Sequence, residues 1–260
     1  MPKNRDVVTI TFTKWADVAM NRIGALFALG VLLAIPLAGQ APVPAWTIAG
    51  TVDAGFVSAT GNTDVTTITL GNKIGASRGH WTLRQSAAYV YGKSRGVESA
   101  NQLRAGTRAE YALSNRFSGF AAVVYERNAF AGFDRRIDEQ LGVQWRPIST
   151  AADSLILDAG DLLTQQENTD GTSERSPSAR AALGFKHMFK ASTFLTQNLE
   201  YVLNLQEEGA YRLNAETAAV APLSTRISMK VGYVLQYNSR PPSAFGTTDR
   251  VLTSGLQVSF

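Results

Sequence analysis

The last ten residues of the chain alternate between apolar and polar side chains and end on an aromatic residue. Leu252, Leu256, Val258 and Phe260 are apolar, and small or polar residues stand between them. This period of two predicts a β-strand with one apolar and one polar face.

A strand that ends on a terminal aromatic residue resembles the final strand of bacterial outer-membrane β-barrels. In those barrels the assembly machinery reads the C-terminal strand. The resemblance therefore implies that Phe260 is an assembly signal and that the barrel-assembly machinery is a partner.

The chain from Trp46 onward contains about twelve segments of strand length, close to the residues that a tilted membrane strand requires. We predict an all-β protein, a single antiparallel transmembrane β-barrel of about twelve strands, of outer-membrane type. The predicted strands are 46–57, 64–76, 80–93, 99–113, 117–128, 134–147, 153–166, 175–189, 193–206, 210–222, 225–238 and 249–260.

The predicted connections are mostly short at one end of the barrel and generally longer and more polar at the other, as in bacterial outer-membrane barrels. Aromatic residues lie near strand ends, with Trp81 and Phe117 on one side and Tyr91, Tyr125 and Tyr237 on the other. The alternative is a soluble barrel of the lipocalin kind, whose apolar face would point inward. The aromatic positions and the large lumen that twelve strands enclose favour the membrane barrel.

The first 45 residues have the pattern of a secretory signal peptide. Asn21-Arg22 precedes an apolar run over 23–38, and cleavage is expected after Ala45, with Ala41 as the alternative. We expect Sec export and a mature barrel over 46–260. Met20 is a better start than Met1, because residues 1–19 would form an unusually long leader. An N-terminal membrane anchor is the other interpretation of the apolar run.

Composition restricts the possible chemistry. The chain has no cysteine, which excludes disulfides and thiolate metal sites. Residues 46–260 carry 21 basic and 19 acidic residues, so charge gives no reason to expect nucleic acid as a partner. No phosphate-binding loop, metal-ligand cluster or zinc-binding helix is present in the sequence, and no cofactor is predicted.

The predicted register turns a set of charged residues toward the lumen, and basic residues outnumber acidic ones among them. The set is Lys73, Arg84, Arg104, Arg108, Glu110, Arg146, Arg180, Lys186, Glu200, Glu216 and Lys230. Charges inside a barrel must be paired or hydrated, because an isolated buried charge costs several kcal/mol. Two hypotheses follow. Either the charges form an ion-pair lattice that fills the lumen, or they line a hydrated passage that favours small anionic solutes.

Four ordered motifs resemble a known family. They are Gly55-Phe56 with Gly61-Asn62-Thr63-Asp64; Trp81 with Tyr89-Val90-Tyr91-Gly92-Lys93; Glu110-Tyr111 with Leu113-Ser114; and Tyr125-Glu126-Arg127-Asn128 with Phe130, Gly132-Phe133-Asp134 and Arg136. Together they resemble the salt-induced outer-membrane protein family, a domain-of-unknown-function family numbered 481. The resemblance covers roughly 46–260. It implies an outer-membrane barrel, with contacts to lipid and lipopolysaccharide, and it supplies no catalytic residue.

Three function classes remain open at this point. The first is a non-enzymatic small-solute channel, or a protein of the envelope response to salt or osmotic stress. The second is an outer-membrane phospholipase, for which only His80 and His187 are available as a base. His187 lies near the periplasmic end of its predicted strand, which disfavours an enzyme. The third is a structural or adhesive barrel without a pore.

Overall fold

The computed structural model describes residues 45–59, 65–189 and 193–260. These residues form twelve β-strands in one closed antiparallel barrel, and the predicted fold class is confirmed. The strands are β1 Thr47–Ala59, β2 Val65–Arg78, β3 Trp81–Ser94, β4 Val97–Ala112, β5 Phe117–Asn128, β6 Phe133–Ser149, β7 Asp153–Asn168, β8 Ser173–Met188, β9 Phe194–Asn204, β10 Tyr211–Pro222, β11 Ile227–Asn238 and β12 Thr248–Ser259. The predicted signal peptide and the start at Met20 concern residues before 45, which lie outside the described part of the chain.

Each strand pairs with its neighbours in sequence, and β12 pairs with β1 to close the ring. The closing register runs from Thr51 opposite Ser259 to Ala54 opposite Leu256. Gly50 and Phe260 extend it, since each backbone N–H donates to the other's carbonyl at 3.0 Å. Closure removes the two unpaired sheet edges that an open sheet would leave. The predicted barrel requires this pairing of the final strand with the first, and the structure contains it.

The outer surface of the barrel is apolar. The outward positions of β12 illustrate it, because Leu252, Leu256 and Val258 are all exposed while Gln257 is buried. A soluble barrel would bury these residues and expose the polar ones. The alternation therefore turns the apolar face outward, as a membrane barrel requires.

Aromatic side chains gather at both ends of the wall. At the end that holds Trp46 and Phe260, Trp81 packs edge-on against Tyr111, with ring centroids 5.0 Å apart. At the opposite end, the ring centroid of Tyr211 lies 5.5 Å from the ring centroids of both Tyr201 and Tyr237. We call these the lower and upper ends of the barrel. Such girdles mark the two interfaces of a membrane-spanning barrel.

The turns follow local sequence chemistry, and one of them corrects a prediction. At the upper end, β3 and β4 are joined by only two residues, Arg95 and Gly96, both with positive φ (49° and 77°). That geometry is the tight hairpin turn whose twist matches the flanking strands. The expectation that connections on this side are generally longer is therefore wrong for this turn. The expectation is met by the connection between β11 and β12, which has nine residues between Asn238 and Thr248.

The segments other than strands are short. One 3₁₀ turn, Ala129–Ala131, follows β5, and Asn128 caps it by accepting a hydrogen bond from the Ala131 N–H at 3.2 Å. Among the described residues, no helix is long and apolar enough to cross a membrane.

Candidate functional site

The interior of the barrel is the candidate site, because side chains from strands that are not neighbours meet there. On a closed wall, outward side chains diverge and inward ones converge. Arg104 on β4 is the clearest case. It donates to Glu126 on the adjacent β5 at 2.7 Å, and its Nη2 lies 3.8 Å from Glu200 on β9. The contact with Glu200 crosses the lumen.

A chain of ion pairs continues from Glu200 along the wall. Arg180 donates from Nε to Glu200 at 2.7 Å and lies 3.5 Å from Asp158 through Nη1. Asp158 also accepts from Arg108 Nη1 at 2.6 Å. These side chains belong to β4, β7, β8 and β9, so the pairs connect four strands of the wall.

The lower end of this network is the carboxylate of Glu110. It accepts from Arg108 Nε at 2.8 Å and from Arg84 Nε at 2.9 Å. Six of the side chains predicted for the lumen thus belong to one connected lattice: Arg84, Arg104, Arg108, Glu110, Arg180 and Glu200. We call this set, with Glu126 and Asp158, the lumen lattice.

An aromatic ring supports the lattice from below. The guanidinium of Arg108 lies over the ring of Phe120, 3.6 Å from its centroid. Phe120 in turn lies over Gly142, where a Cβ would approach its Cζ to 2.9 Å. A side chain at position 142 would therefore collide with the Phe120 ring, and glycine leaves room for it. A cation over a desolvated aromatic face is worth about 2 kcal/mol.

The upper interior contains a second group of contacts. Arg136 donates to Glu126 at 2.7 Å, and Arg212 on β10 donates to Asp138 on β6 and to Thr164 on β7, at 3.3 and 2.9 Å. These strands lie on different sides of the wall. Side-chain contacts therefore cross the upper part of the lumen as well as its middle.

A third contact across the lumen joins two uncharged side chains, Gln102 and Gln236. Gln102 on β4 donates to Glu126 at 3.1 Å and to Gln236 on β11 at 3.2 Å. Glu126, 2% exposed, is thus held by a glutamine and by the two guanidiniums of Arg104 and Arg136. It is the most buried charge of the interior pairs and the point at which the middle and upper contacts join.

The remaining predicted residues lie outside the lattice. Lys73 lies 3.6 Å from Glu216, and Lys230 donates to Asp53 at 3.1 Å. Both pairs join strands that are not neighbours. The Arg146 guanidinium donates to the side-chain oxygen of Gln144 at 3.4 Å, and the Lys186 ammonium lies 4.2 Å from the centroid of the Phe194 ring.

Sequence reasoning missed several interior side chains that the structure brings together: Asp53, Gln102, Glu126, Arg136, Asp138, Asp158, Thr164 and Arg212. A signal for four of them was available. Strict alternation reaches Gln102 from Arg104 on β4 and Arg212 from Glu216 on β10. Strict alternation counted upward from Arg146 reaches Asp138 and Arg136 on the same face of β6. For β5 no inward residue was assigned, although Glu126 shares a face with Phe120.

With the missed residues included, the numbers of basic and acidic side chains in the interior pairs are nearly equal. The interior pairs join eight basic residues (Lys73, Arg84, Arg104, Arg108, Arg136, Arg180, Arg212, Lys230) with seven acidic ones (Asp53, Glu110, Glu126, Asp138, Asp158, Glu200, Glu216). Basic side chains outnumber acidic ones by one in these pairs, whereas the set predicted for the lumen has eight basic and three acidic residues. Of the six charged residues that the prediction missed, four are acids: Asp53, Glu126, Asp138 and Asp158.

Two interior pairs combine an exposed basic side chain with a less exposed carboxylate. The Lys73 and Arg84 side chains are 58% and 49% exposed, whereas their partners Glu216 and Glu110 are 31% and 5% exposed. The inward face of β3 above Arg84 also remains accessible, since Ser86 is exposed. The β2–β3 side of the lumen is therefore open to water and basic, while the β5–β8 side is packed.

The upper mouth is partly covered by the loop after β11, residues 239–247, which we call the strap. A Cβ at Gly132, beside the 3₁₀ turn, would lie 2.7 Å from Phe245 and 2.9 Å from Pro242, so the strap packs directly on that turn. Arg240 fixes its other side through Glu207 at 3.2 Å and the Glu208 carbonyl at 3.1 Å. The strap therefore contacts both the β5–β6 loop and the β9–β10 loop.

His187 and the loop residue Asp170 both make short-range polar contacts, at opposite ends of the barrel. His187 Nδ1 lies 2.7 Å from Asp153 Oδ1 at the lower end of the outer wall, and its ring packs edge-on against Phe189. Asp170, in the β7–β8 loop, accepts from the Thr172 backbone and hydroxyl, and these bonds lower the pKa of Asp170. No group of three or more potential metal ligands occurs among the described residues.

Comparison with known proteins gives a family and a fold. The family model described as "Protein of unknown function, DUF481" matches residues 52–260. The uncharacterized protein YdiY of Escherichia coli (strain K12) is 25% identical over 216 residues, covering 81% of this chain and 82% of that protein.

Two solved structures have similar barrels. The COG4313 outer-membrane channel from Pseudomonas putida F1 matches with a TM-score of 0.50 and 12% identity, covering 87% of this chain and all of that one (100%). A NanC porin matches with a TM-score of 0.47 and 9% identity over 81% of this chain and 97% of that chain. The fold is that of outer-membrane porins and channels.

Proposed function

The chain belongs to the DUF481 family, whose function is unknown, and we propose that this member is a narrow outer-membrane channel that favours small anionic solutes. In this proposal the lumen lattice braces the barrel and blocks most of its cross-section. The passage runs along the inner face of β2 and β3. Its bore admits small hydrophilic solutes and excludes larger ones.

The exposure of the two signs of charge carries the proposal. Along the open side of the lumen the most exposed charges of the interior pairs are Lys73 and Arg84, and the carboxylates that pair with them are less exposed. A solute in the passage would meet positive charge before negative charge. Rings and tracks of arginine and lysine select anions in membrane pores.

The cellular setting is part of the proposal. The apolar outer wall and the aromatic girdles support a location in the outer membrane, in contact with lipid and lipopolysaccharide. Export by the Sec route would place both ends of the mature chain in the periplasm, with the barrel-assembly machinery reading the strand that ends at Phe260. The chain performs no reaction in this proposal. A contribution to salt or osmotic stress fits a channel of this bore.

Permeation through proteoliposomes tests the proposal. Vesicles containing the purified barrel should swell in small anionic solutes, such as acetate, and should not swell in a trisaccharide. Replacing Lys73 and Arg84 together by glutamine should slow anion entry, because these side chains carry the exposed charge. Arg116→Gln, in a turn outside the lumen, is the matched control. A barrel without a pore would give no swelling in any solute, and that result would replace the channel with a structural role.

A further inference from the structure

A groove runs across the outer face of the wall, over strands β4 to β8, and has a volume of about 600 Å³. The short side chains of Ala109 and Ala121 lie opposite each other there, beside the longer side chain of Leu141. This difference in side-chain length leaves a depression in the apolar surface. We call it the wall groove. The apolar outer surface of a membrane barrel faces lipid, so the groove can hold hydrocarbon chains.

Two carboxylates lie in the wall groove, those of Glu139 on β6 and Asp161 on β7. Both residues are exposed, whereas Asp138 and Leu162, next to them in sequence, are buried, so both acids point outward. Asp161 lies opposite Leu141 in the register of the two strands, which makes the two acids diagonal neighbours. The groove therefore combines an apolar lining with two hydrogen-bond acceptors.

Both acids lie in the band between the aromatic girdles. At the lower end, Trp145 on β6 stacks against Phe117 on β5, with ring centroids 6.2 Å apart. Tyr125 lies toward the upper end of the same two strands, and Glu139 lies between the levels of Tyr125 and Trp145. Asp161 lies in the corresponding part of β7. A charge that faces lipid in this band is unfavourable, by an amount that depends on its depth.

The wall itself does not neutralise these acids. Glu139 accepts a hydrogen bond from Gln165 at 3.4 Å, and Asp161 has no side-chain hydrogen bond or ion pair with the described residues. Neutral polar side chains elsewhere on the outer wall bond to each other, as Gln85 does to Asn72. The two acids therefore keep acceptor capacity toward the membrane, which a bound group with hydrogen-bond donors would satisfy.

Three arginines on the outer wall form a rim above the groove: Arg127 on β5, Arg135 on β6 and Arg175 on β8. Arg127 donates to Asn101 at 3.0 Å, and Arg135 forms an ion pair with Glu167. Arg175 is exposed and has no side-chain hydrogen bond or ion pair with the described residues. Guanidinium groups bind phosphate through paired N–H donors. The rim therefore provides an anion-binding surface at the upper end of the wall.

The order of these groups along β6 matches the order of groups in one class of lipid. From the upper end downward, its outward residues include Arg135, Glu139 and Leu141, which are a cation, a hydrogen-bond acceptor and an apolar side chain. Glu139 lies four residues below Arg135, about 13 Å along the strand. An amide-linked phosphoglycolipid has phosphate at its surface, sugar hydroxyls and amide N–H groups below it, and acyl chains below those.

We infer that the wall groove and its arginine rim bind a phosphorylated, amide-linked glycolipid of the outer leaflet, the class to which the lipid anchor of lipopolysaccharide belongs. The arginines bind its phosphates, Glu139 and Asp161 accept from its hydroxyl and amide groups, and the groove holds its acyl chains. A glycerophospholipid has no amide N–H between its phosphate and its chains, so it fits only part of the site. The inference rests on the outer-membrane location in the proposed function and does not require conduction.

Native mass spectrometry of the folded, full-length mature barrel in detergent tests the inference with two lipid probes. Bisphosphorylated lipid A has phosphates, amide groups and acyl chains. Cardiolipin has two phosphates and four acyl chains but no amide group. We expect lipid A to bind at least about tenfold more tightly than cardiolipin. Equal binding of the two lipids, tighter binding of cardiolipin, or no binding of lipid A would overturn the assignment.

Three variants separate the parts of the site. Arg175→Gln should weaken the binding of both lipids by about tenfold, because both have phosphates. Asp161→Leu should weaken lipid A by at least about fivefold and should not weaken cardiolipin, because only lipid A has amide donors for the carboxylate. Arg116→Gln, in a turn at the lower end, is the matched control and should change neither.

Asp161→Leu is the decisive variant because the alternative predicts the opposite result. It places an apolar side chain on a lipid-facing surface, so the barrel should fold, and a wall that only contacts lipid would bind lipid A more tightly. Lipid A affinity at or above that of the parent therefore contradicts the inference. A dimer that Asp161→Leu abolishes, without lipid A binding, would assign the groove to a second copy and overturn the inference.

The site and the channel fail separately. Lipid A binding by a barrel that does not conduct would remove the channel and keep the site. Conduction by a barrel that does not bind lipid A would keep the channel and remove the site.

Discussion

Arg104 on β4 reaches Glu200 on β9 across the barrel interior, with Nη2 3.8 Å from Oε1, although the two strands are five positions apart around the wall. The same guanidinium also binds Glu126 on the adjacent strand at 2.7 Å. One side chain thus links opposite sides of the lumen. It is the single contact whose loss should change the bore most.

Arg104→Gln should raise single-channel conductance, because the shorter side chain cannot bridge the lumen. Glu126 keeps Arg136 and Glu200 keeps Arg180, so the barrel should still fold, with a loss of about 1–3 kcal/mol in unfolding free energy. Bilayer recordings of the variant beside Arg116→Gln provide the measurement. An unchanged conductance in a folded Arg104→Gln barrel would mean that this contact does not limit the passage.

Glu126→Gln should destabilise the barrel far more than Glu216→Gln. Glu126 is 2% exposed and balances both Arg104 and Arg136. Its neutralisation leaves Arg136 buried without a carboxylate partner among the described residues, and leaves Arg104 with Glu200 at 3.8 Å, at a cost of about 3–5 kcal/mol. Glu216 pairs only with the exposed Lys73 and should cost about 1 kcal/mol or less. Urea unfolding in detergent, followed by electrophoretic mobility, gives both values. Equal losses would show that burial does not set the strength of these pairs.

Removing Phe260, or replacing it with alanine, should impair membrane insertion and leave export intact. Its backbone makes the last two hydrogen bonds of the closing seam with Gly50, and a Cβ on Gly50 would lie 2.9 Å from its ring. Outer-membrane levels relative to periplasmic precursor provide the measurement. Phe189→Ala removes another exposed aromatic at the lower end without touching the seam, and it should insert normally. Normal levels of the Phe260 variants would contradict the assembly role.

The purified protein should hydrolyse no phospholipid, and His187→Ala should behave like the parent. His187 is bound by Asp153 at the lower end of the outer wall, far along its strand from the outer leaflet where an outer-membrane phospholipase would act. Release of fatty acid from labelled phospholipid vesicles is the measurement. Hydrolysis by the parent that His187→Ala abolishes would instead establish an enzyme.

The strands could be predicted from the sequence because a half-apolar strand repeats its chemistry every two residues. That local rule located all twelve strands. It also assigned Arg104 and Glu200 to the inner face of the wall. It could not bring them together, because their contact depends on closure and on how far strands on opposite sides approach.

Other features depend on tertiary packing that no local pattern reports. Glu126 lies in a strand for which no inward residue was assigned, and its burial follows from two arginines on different strands. The strap looks like an ordinary polar loop in the sequence. Its packing on Gly132 arises only when the β5–β6 and β11–β12 connections meet at the upper mouth.

The zero-current potential of single channels in an asymmetric KCl gradient tests the central claim most directly. Exposed Lys73 and Arg84 line the open side of the lumen, so we expect a small conductance whose zero-current potential lies toward the chloride equilibrium potential. Replacing both residues by glutamine should move it toward zero. A zero-current potential toward that of potassium, or no conductance from correctly folded barrels, would contradict the account.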